Sequence, residues 1–217
     1  MISNDKYQII KSAIKVHSRL KGRTYFLLYK VNAKQPSGYT EFTILEENFW
    51  HLVGCRMDET LHLTSAQKYQ LYYDCLEGKD ISKYLVYTRQ PQDVIKKSNV
   101  VIQVFDFITN AKATRICITD GTPESFMFQV GAGSANGLIG YGDSPKGMIP
   151  KTAQQKSIYK IQSNANNKIF LILSKPYGFA KYNQVEYKIS PKIFPAILSE
   201  LPKEIQYENH LFPVFTQ

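Results

Sequence analysis

The sequence lacks the features of a membrane-spanning, secreted or disulfide-stabilised protein. None of its apolar runs approaches the roughly 18–20 residues that a transmembrane helix requires. The N-terminal segment alternates charged with apolar residues, so we expect no secretory signal peptide. Its three cysteines are an odd number without CxxC spacing, which argues against a disulfide framework or a zinc site. We therefore expect a protein of the reducing cytoplasm.

Common metal and phosphate motifs are also missing. The HExxH, DxDxDG and GxSxG patterns do not occur, and the four histidines are scattered along the chain. The glycine-rich segment 131–142 is neither a P-loop nor a dinucleotide-binding motif, and tight turns in a curved sheet explain it more simply. These absences disfavour a metal mechanism, and we expect no cofactor.

The composition is strongly basic. Lysine and arginine total 27 against 18 aspartates and glutamates, which gives a formal charge of +9. The excess lies in the last third, where residues 145–217 hold ten lysines and four glutamates. The positive electrostatic field of such a charge distribution favours the binding of polyanions, above all nucleic acid. The 15 tyrosines also offer rings on which unpaired bases can stack.

The element pattern predicts an α+β protein, folded as a single domain over residues 1–217. The first half reads as helices and a hairpin, and the second half reads as short strands of an antiparallel meander or barrel-like sheet. Residues 100–108 fit a helix begun at Pro91 but also fit a strand, and residues 157–163 read as a strand. The other predicted elements are a helix between Asn4 and Gly22, strands Thr24–Val31 and Tyr39–Leu45, a helix capped by Thr64 and a short helix Ile193–Leu201.

His51 is the first candidate for chemistry. It follows Phe49 and Trp50 and precedes a Leu-Val-Gly turn, so an imidazole is set in an apolar wall beside a turn. Such a setting can hold a histidine near neutral pKa and fix its orientation for general acid–base work. The alternative is a core or edge histidine that bonds only to backbone. His17, on the first helix among apolar neighbours, is interpreted as structural.

Two further groups combine a lysine with a hydroxyl. Lys151 and Thr152 follow the glycine-rich segment, and Ser174 and Lys175 end an apolar strand where the chain must turn. Each pair could hold a phosphate, and Tyr182 adds an aromatic face nearby in sequence. Taken alone, each pair is better explained as an exposed polar loop with solvated lysines.

Together, these residues suffice for cleaving RNA without a metal. The ribose 2′-hydroxyl attacks phosphorus once a base accepts its proton, an acid protonates the leaving 5′-oxygen, and cations stabilise the charged phosphorane. DNA has no internal nucleophile, so a metal-free site of this kind favours RNA. In this hypothesis His51 is the base or acid, Lys151 and Lys175 neutralise phosphate, Thr152 and Ser174 bind it, and Tyr182 stacks or donates a proton.

Several segments resemble one known family. The run from Asn48 to Gly54 is similar to its NFxHLxG-like motif, and Tyr72 to Lys79 is similar to the helix end that follows. The later matches are Pro150-Lys151-Thr152, Phe170–Lys175 and Tyr182–Tyr187. Over about residues 20–190 the chain thus resembles the fourth subfamily of the phage-type Barnase–EndoU–colicin–RelE-like nucleases, although Trp50, Val53 and the glycine-rich insert depart from its pattern.

The resemblance implies a metal-independent endoribonuclease, with helices packed on a curved antiparallel sheet of the kind that those nucleases share. It also implies a toxin or effector of a phage or another mobile element. The expected partners are RNA, with tRNA as a candidate substrate, and an acidic inhibitor or antitoxin, but no membrane. The alternative is a noncatalytic RNA- or protein-binding module in phage defence or counter-defence.

Overall fold

Helices lead the chain and strands dominate its second half. A computed structural model describes residues 2–30, 37–119, 128–161, 167–189 and 194–212. The helices are α1 (Asn4–Ser18), α2 (Phe49–Leu52), α3 (Ser65–Leu76), α4 (Pro91–Val104) and α5 (Phe194–Leu198). The strands are β1 (Arg23–Lys30), β2 (Gly38–Ile44), β3 (Cys55–Met57), β4 (Leu85–Tyr87), β5 (Arg115–Ile118), β6 (Val130–Ser134), β7 (Gly137–Gly142), β8 (Ile149–Gln154), β9 (Asn167–Pro176) and β10 (Gln184–Lys188). The predicted α+β class is confirmed.

The helix signals of the sequence act as expected. At α3, Gln67 N donates to Thr64 Oγ1 at 3.2 Å, and Thr64 N donates to Gln67 Oε1 at 2.8 Å, which is a reciprocal capping box. Pro91 occupies the first turn of α4, where its missing N–H costs nothing. Residues 100–104 belong to α4, so the helical interpretation of this ambiguous run is correct.

The main sheet is antiparallel and strongly curled. Its strands follow the order β2-β1-β9-β5-β6-β7-β8, and β10 pairs with the second half of β9. The curl brings the two outer strands of this order together, because Thr43 N in β2 donates to the carbonyl of Met148, just before β8, at 2.8 Å. The predicted curved antiparallel sheet is therefore confirmed, in the form of a half-barrel.

Each face of the sheet has its own apolar core. The helices cover one face, where Tyr25 and Leu27 of β1 point. The alternate residues Phe26 and Leu28 point to the other face, which Ile197 of α5 helps to cover. A strand buried on both sides needs a nearly continuous apolar run, and this explains the composition of β1.

Some local predictions fail. Residues 158–160 form a short 3-10 helix rather than the predicted strand. Pro150, Lys151 and Thr152 lie in strand β8 rather than in a connecting turn, because β7 offers a ladder that the isolated tripeptide does not reveal. The small sheet of β3 and β4 was not predicted. Val31, the last residue of a predicted strand, and Ile193, the first residue of a predicted helix, lie outside the described residues.

The structure also describes the lengths of the helices and the state of the cysteines. Within the described ranges, no helix is both long and apolar enough to cross a bilayer. All three cysteines lie buried as free thiols.

Candidate active site

The helical turn that carries His51 is anchored by its neighbours. A 3-10 turn, Glu46–Asn48, runs directly into α2, and Asn48 Oδ1 accepts the Leu45 N–H at 3.0 Å. Phe49 and Leu52 are fully buried beneath the turn. His51 itself is exposed, so the apolar wall predicted around it supports the backbone rather than enclosing the ring.

A second histidine lies inside the core that supports α2. His17 is 0% exposed, and its ring lies 5.2 Å from the ring of Phe49 and 5.1 Å from that of Phe105. Its Nδ1 is 2.8 Å from the Tyr72 hydroxyl, while its Nε2 has no hydrogen-bond partner. Burial lowers the pKa of His17 to about 3, so this imidazole is neutral and structural, as predicted.

His51 lies among positive charges. Although the residue as a whole is exposed, partial burial of the ring lowers the pKa of its imidazole. The charges of Lys97, Lys151 and Arg89 lower this pKa further, and hydrogen bonding with the Lys151 backbone opposes the shift. The ring is therefore neutral near pH 7, in a position that attracts anions.

Lys151 owes its position to a β-bulge. Thr152 pairs with Gly140 and Pro150 pairs with Tyr141, which leaves Lys151 as the extra residue of β8. Its side chain runs beside Gly142, where an added Cβ would lie 3.3 Å from Lys151 Cγ. A bulge of this kind redirects a side chain, and here it sets Lys151 apart from the regular alternation of the strand.

Lys97 approaches from α4. Gly54 ends the α2 turn with a φ of +78°, and an added Cβ would lie 3.3 Å from Lys97 Cδ. The left-handed backbone favours a glycine here, and the Lys97 side chain passes close over it. Burial lowers the pKa of the Lys97 ammonium and the charge of Arg89 lowers it further, although Asp93 opposes them.

Lys175 and Tyr182 form a different group with Glu41. The Lys175 ammonium lies 4.5 Å from the centroid of the Tyr182 ring and 3.8 Å from Glu41 Oε2. Tyr182 is 1% exposed, and its hydroxyl donates to the Glu41 carboxylate. Burial raises the pKa of Tyr182 and the adjacent carboxylate raises it further, so this phenol is a poor proton donor to any other group.

Ser174 belongs to a third group. It is 0% exposed and accepts hydrogen bonds from Arg23 Nε at 3.0 Å and Arg23 Nη2 at 2.8 Å. Its own hydroxyl donates to Glu186 Oε1 at 2.5 Å. Because successive residues of a strand point to opposite faces, Ser174 and Lys175 are separated by the sheet.

The six predicted residues are thus only partly brought together. His51 and Lys151 lie side by side, with Thr152 next along β8. Across the described ranges, no hydrogen bond, ion pair or ring contact joins these three to Ser174, Lys175 or Tyr182. In the same part of the chain, no three histidine, cysteine, aspartate or glutamate side chains lie together as a group that could hold a metal ion.

Sequence reasoning missed Lys97 and Arg89. Lys97 follows the buried Val94 by three residues and precedes the buried Val101 by four, so it lies on the apolar face of α4. Because a charged residue on an otherwise apolar helix face is visible in the sequence, Lys97 could have been recognised as a candidate from this pattern. Arg89 carries no comparable signal, because it is exposed just before the helix.

The cluster of His51, Lys97, Lys151 and Arg89 can bind and polarise a phosphate. A neutral imidazole accepts a proton, and the surrounding cations stabilise negative charge that develops on phosphoryl oxygens. The exposed position of His51 leaves it accessible to a polymeric substrate.

Comparison with known proteins identifies one similarity. The chain matches the sequence model of a family described as phage-Barnase-EndoU-ColicinE5/D-RelE like nuclease4 over residues 8–190. The match covers more than four fifths of the 217-residue chain and includes the whole cationic cluster. Searches among curated proteins and among solved structures gave no significant match.

Proposed function

Since the chain belongs to this family of phage-type nucleases, we propose that it is a metal-independent endoribonuclease that cleaves RNA through the ribose 2′-hydroxyl. Family membership confirms the resemblance seen in the sequence and indicates nucleic acid as the substrate. The observation that carries the finer proposal is the neutral, exposed His51 within a cluster of three cations.

His51 is the general base of the proposed reaction. Its lowered pKa keeps the ring unprotonated near pH 7, so it can accept the 2′-hydroxyl proton. The 2′-oxygen then attacks phosphorus, and the bond to the 5′-oxygen breaks. The products are a 2′,3′-cyclic phosphate and a 5′-hydroxyl end.

Lys151 and Arg89 stabilise the phosphorane, and Thr152 hydrogen-bonds the phosphate. Lys97 is assigned the proton that the leaving 5′-oxygen needs, because burial lowers its pKa and makes its ammonium a better acid than an ordinary lysine. Tyr182 is given no proton transfer, since its hydroxyl already donates to Glu41. Lys175 and Ser174 remain candidates only for binding RNA beyond the scissile phosphate.

The biological role in this proposal is that of a cytoplasmic toxin or effector of a phage or another mobile element, folded as a single domain. A cationic active site is a suitable target for an acidic inhibitor, because such a partner would cover His51 by charge complementarity. Transfer RNA is the first substrate to test.

The test incubates the purified protein with total tRNA in the presence of EDTA. We expect fragments that end in cyclic phosphate, and a loss of about 100-fold or more in rate for His51→Ala, in line with general-base catalysis. His62→Ala is the matched control, because His62 is exposed on a separate turn. An unchanged rate for His51→Ala would refute the assignment.

The rival function is a noncatalytic RNA- or protein-binding module, and the cationic cluster fits it as well. Salt-sensitive retention of RNA without fragments would favour that module. Cleavage that requires an added divalent ion would keep the nuclease and refute its metal independence.

A further inference from the structure

A cleft of about 370 Å³ lies between the α2 turn and α3. Its walls include Trp50, Tyr69 and Tyr72, and its rim includes Glu47 and Lys68. This volume is at the lower end of the range of small-molecule sites, which suits one ring system rather than a folded peptide.

The cleft adjoins the candidate active site through the α2 segment. Glu47 lies in the 3-10 turn that runs directly into α2, four residues before His51, so their backbones are about 6 Å apart along the helical segment. Trp50 precedes His51 directly. A polymer bound at His51 therefore has the cleft within reach of its neighbouring unit.

The aromatic walls offer a surface for stacking. Tyr69 is 53% exposed, and its ring is held 4.9 Å from that of Tyr73 by ring packing and a 2.9 Å hydrogen bond between their hydroxyls. Trp50 is 8% exposed and packs edge-on against Phe49 at 5.0 Å, so its position is fixed. Preformed rings of this kind bind planar groups at little cost in conformational entropy.

The carboxylates of the cleft are already paired with ammonium groups. Glu46 Oε1 accepts hydrogen bonds from Lys21 Nζ at 3.0 Å and from the Tyr73 hydroxyl at 2.8 Å. Burial would raise the pKa of Glu46, but the hydrogen bonds and the Lys21 charge outweigh it and lower that pKa. Glu47 binds Lys146 Nζ through both oxygens at 2.9 Å.

This pairing decides which ligand the cleft suits. Each carboxylate is paired with its own ammonium, so neither is left to balance the charge of a cationic guest. A phosphate would face two carboxylates. A neutral aromatic ring whose edge carries N–H donors satisfies both conditions, because a carboxylate that is paired with an ammonium accepts hydrogen bonds from a guest rather than donating them.

We propose that this cleft is a nucleobase subsite, which holds one unpaired base beside the phosphate bound at His51. The base stacks on Tyr69 and directs N–H donors towards the glutamates. This inference rests on the proposed function for its link to cleavage, and it adds that the substrate is single-stranded at this position.

The test uses Trp50, the only tryptophan of the chain, as a fluorescent reporter in the cleft. The protein is titrated with the four nucleoside monophosphates, with inorganic phosphate and with tetramethylammonium, and N-acetyltryptophanamide corrects for light absorption by the nucleotides. We expect saturable quenching by nucleotides, and strongest quenching by bases that carry an amino group. Quenching by phosphate or tetramethylammonium equal to that by nucleotides would overturn the proposal, and so would the absence of quenching.

Three variants test whether the ring of Tyr69 is the surface on which the base stacks. Tyr69→Ala should weaken nucleotide binding by about fivefold or more, since base stacking contributes about that much or more. Tyr69→Phe keeps the ring, and Tyr159→Ala removes an exposed ring elsewhere on the surface, so both should bind as the parent does. Unchanged binding by Tyr69→Ala would refute the stacking assignment.

The two proposals fail separately. His51→Ala should lose cleavage but keep the quenching, because the variant leaves the cleft and the three cations around the phosphate intact. RNA cleavage without nucleotide quenching would remove the base subsite and leave the nuclease. Quenching without cleavage would leave the subsite and remove the nuclease.

Discussion

The buried His17 should make the stability of the whole fold depend on pH. Its neutral ring is packed against Phe49 of α2, Tyr72 of α3 and Phe105, which directly follows α4. Burial lowers its folded-state pKa to about 3 from the ordinary 6.5. Between these two values, the unfolded chain binds a proton that the folded chain does not, so stability is lost as the pH falls below 6.5.

The magnitude follows from that difference. Lowering the pH from 8 to 5 should cost the folded state about 2 kcal/mol through His17, because the unfolded imidazole is then almost fully protonated. This is a measurable part of the 5–15 kcal/mol by which domains are usually stable. Glu46, the nearest acidic group that affects His17, has a lowered pKa and stays ionised over this range, so it adds little to the change.

The assay compares urea unfolding at pH 8, 7, 6 and 5 for the parent and for His17→Phe. The variant leaves the Tyr72 hydroxyl without its partner, which should cost about 1–3 kcal/mol at every pH. It should also lose the extra decline between pH 7 and 5 that the parent shows. His17→Gln, which keeps a polar partner, provides the same comparison if the first variant does not fold. Parallel curves for parent and variants would refute the buried-histidine argument.

The remaining predictions concern the candidate site and the sheet that carries it. In Lys97→Met, cleavage should slow because the assigned acid is gone, and the acid limb of the remaining pH–rate profile should move to higher pH because one of the charges that lower the pKa of His51 is gone. A shift of that limb to lower pH would contradict the assigned cause. Lys151→Met should reduce the rate of RNA cleavage by about tenfold or more, whereas Lys175→Met should reduce it less, because the Lys175 charge is paired with Glu41. If Lys175→Met were the slower variant, the reaction would have to take place elsewhere. Gly140→Ala should destabilise the protein by about 1–3 kcal/mol, because the added Cβ would lie 2.5 Å from the Phe128 ring. Gly142→Ala should destabilise it less, since the Lys151 side chain beside the added Cβ can move. Equal unfolding midpoints for the two variants would refute this difference.

Much of the fold could be predicted from local pattern. The capping box of α3, the proline of α4 and the apolar run of β1 act over a few residues, and each forms the predicted element. Local pattern gives the wrong prediction for a segment whose structure depends on the strand that it pairs with. Residues 150–152 become a strand only because β7 lies beside them, and the bulge at Lys151 depends on that partner's register.

In the candidate site too, some features follow from the local sequence and others only from tertiary contacts. The exposed, anchored position of His51 follows from a helical turn whose neighbours are large and apolar, and those neighbours in sequence singled it out as a candidate among the four histidines. Ser174 and Lys175 looked like one phosphate-binding pair, but a strand sends successive side chains to opposite faces, and Arg23 and Glu41 engage them separately.

By itself, the chain's order of residues determined its helices, the apolar strands, the basic charge and the family likeness, since each depends on neighbours in sequence or on composition. Only the folded arrangement decided which cations surround His51. Lys97 reaches it because α4 packs over Gly54, and Lys151 reaches it because a curled sheet brings β8 to α2. Electrostatic interactions act through space, so contacts made across 46 and 100 residues of chain set the chemistry of the imidazole.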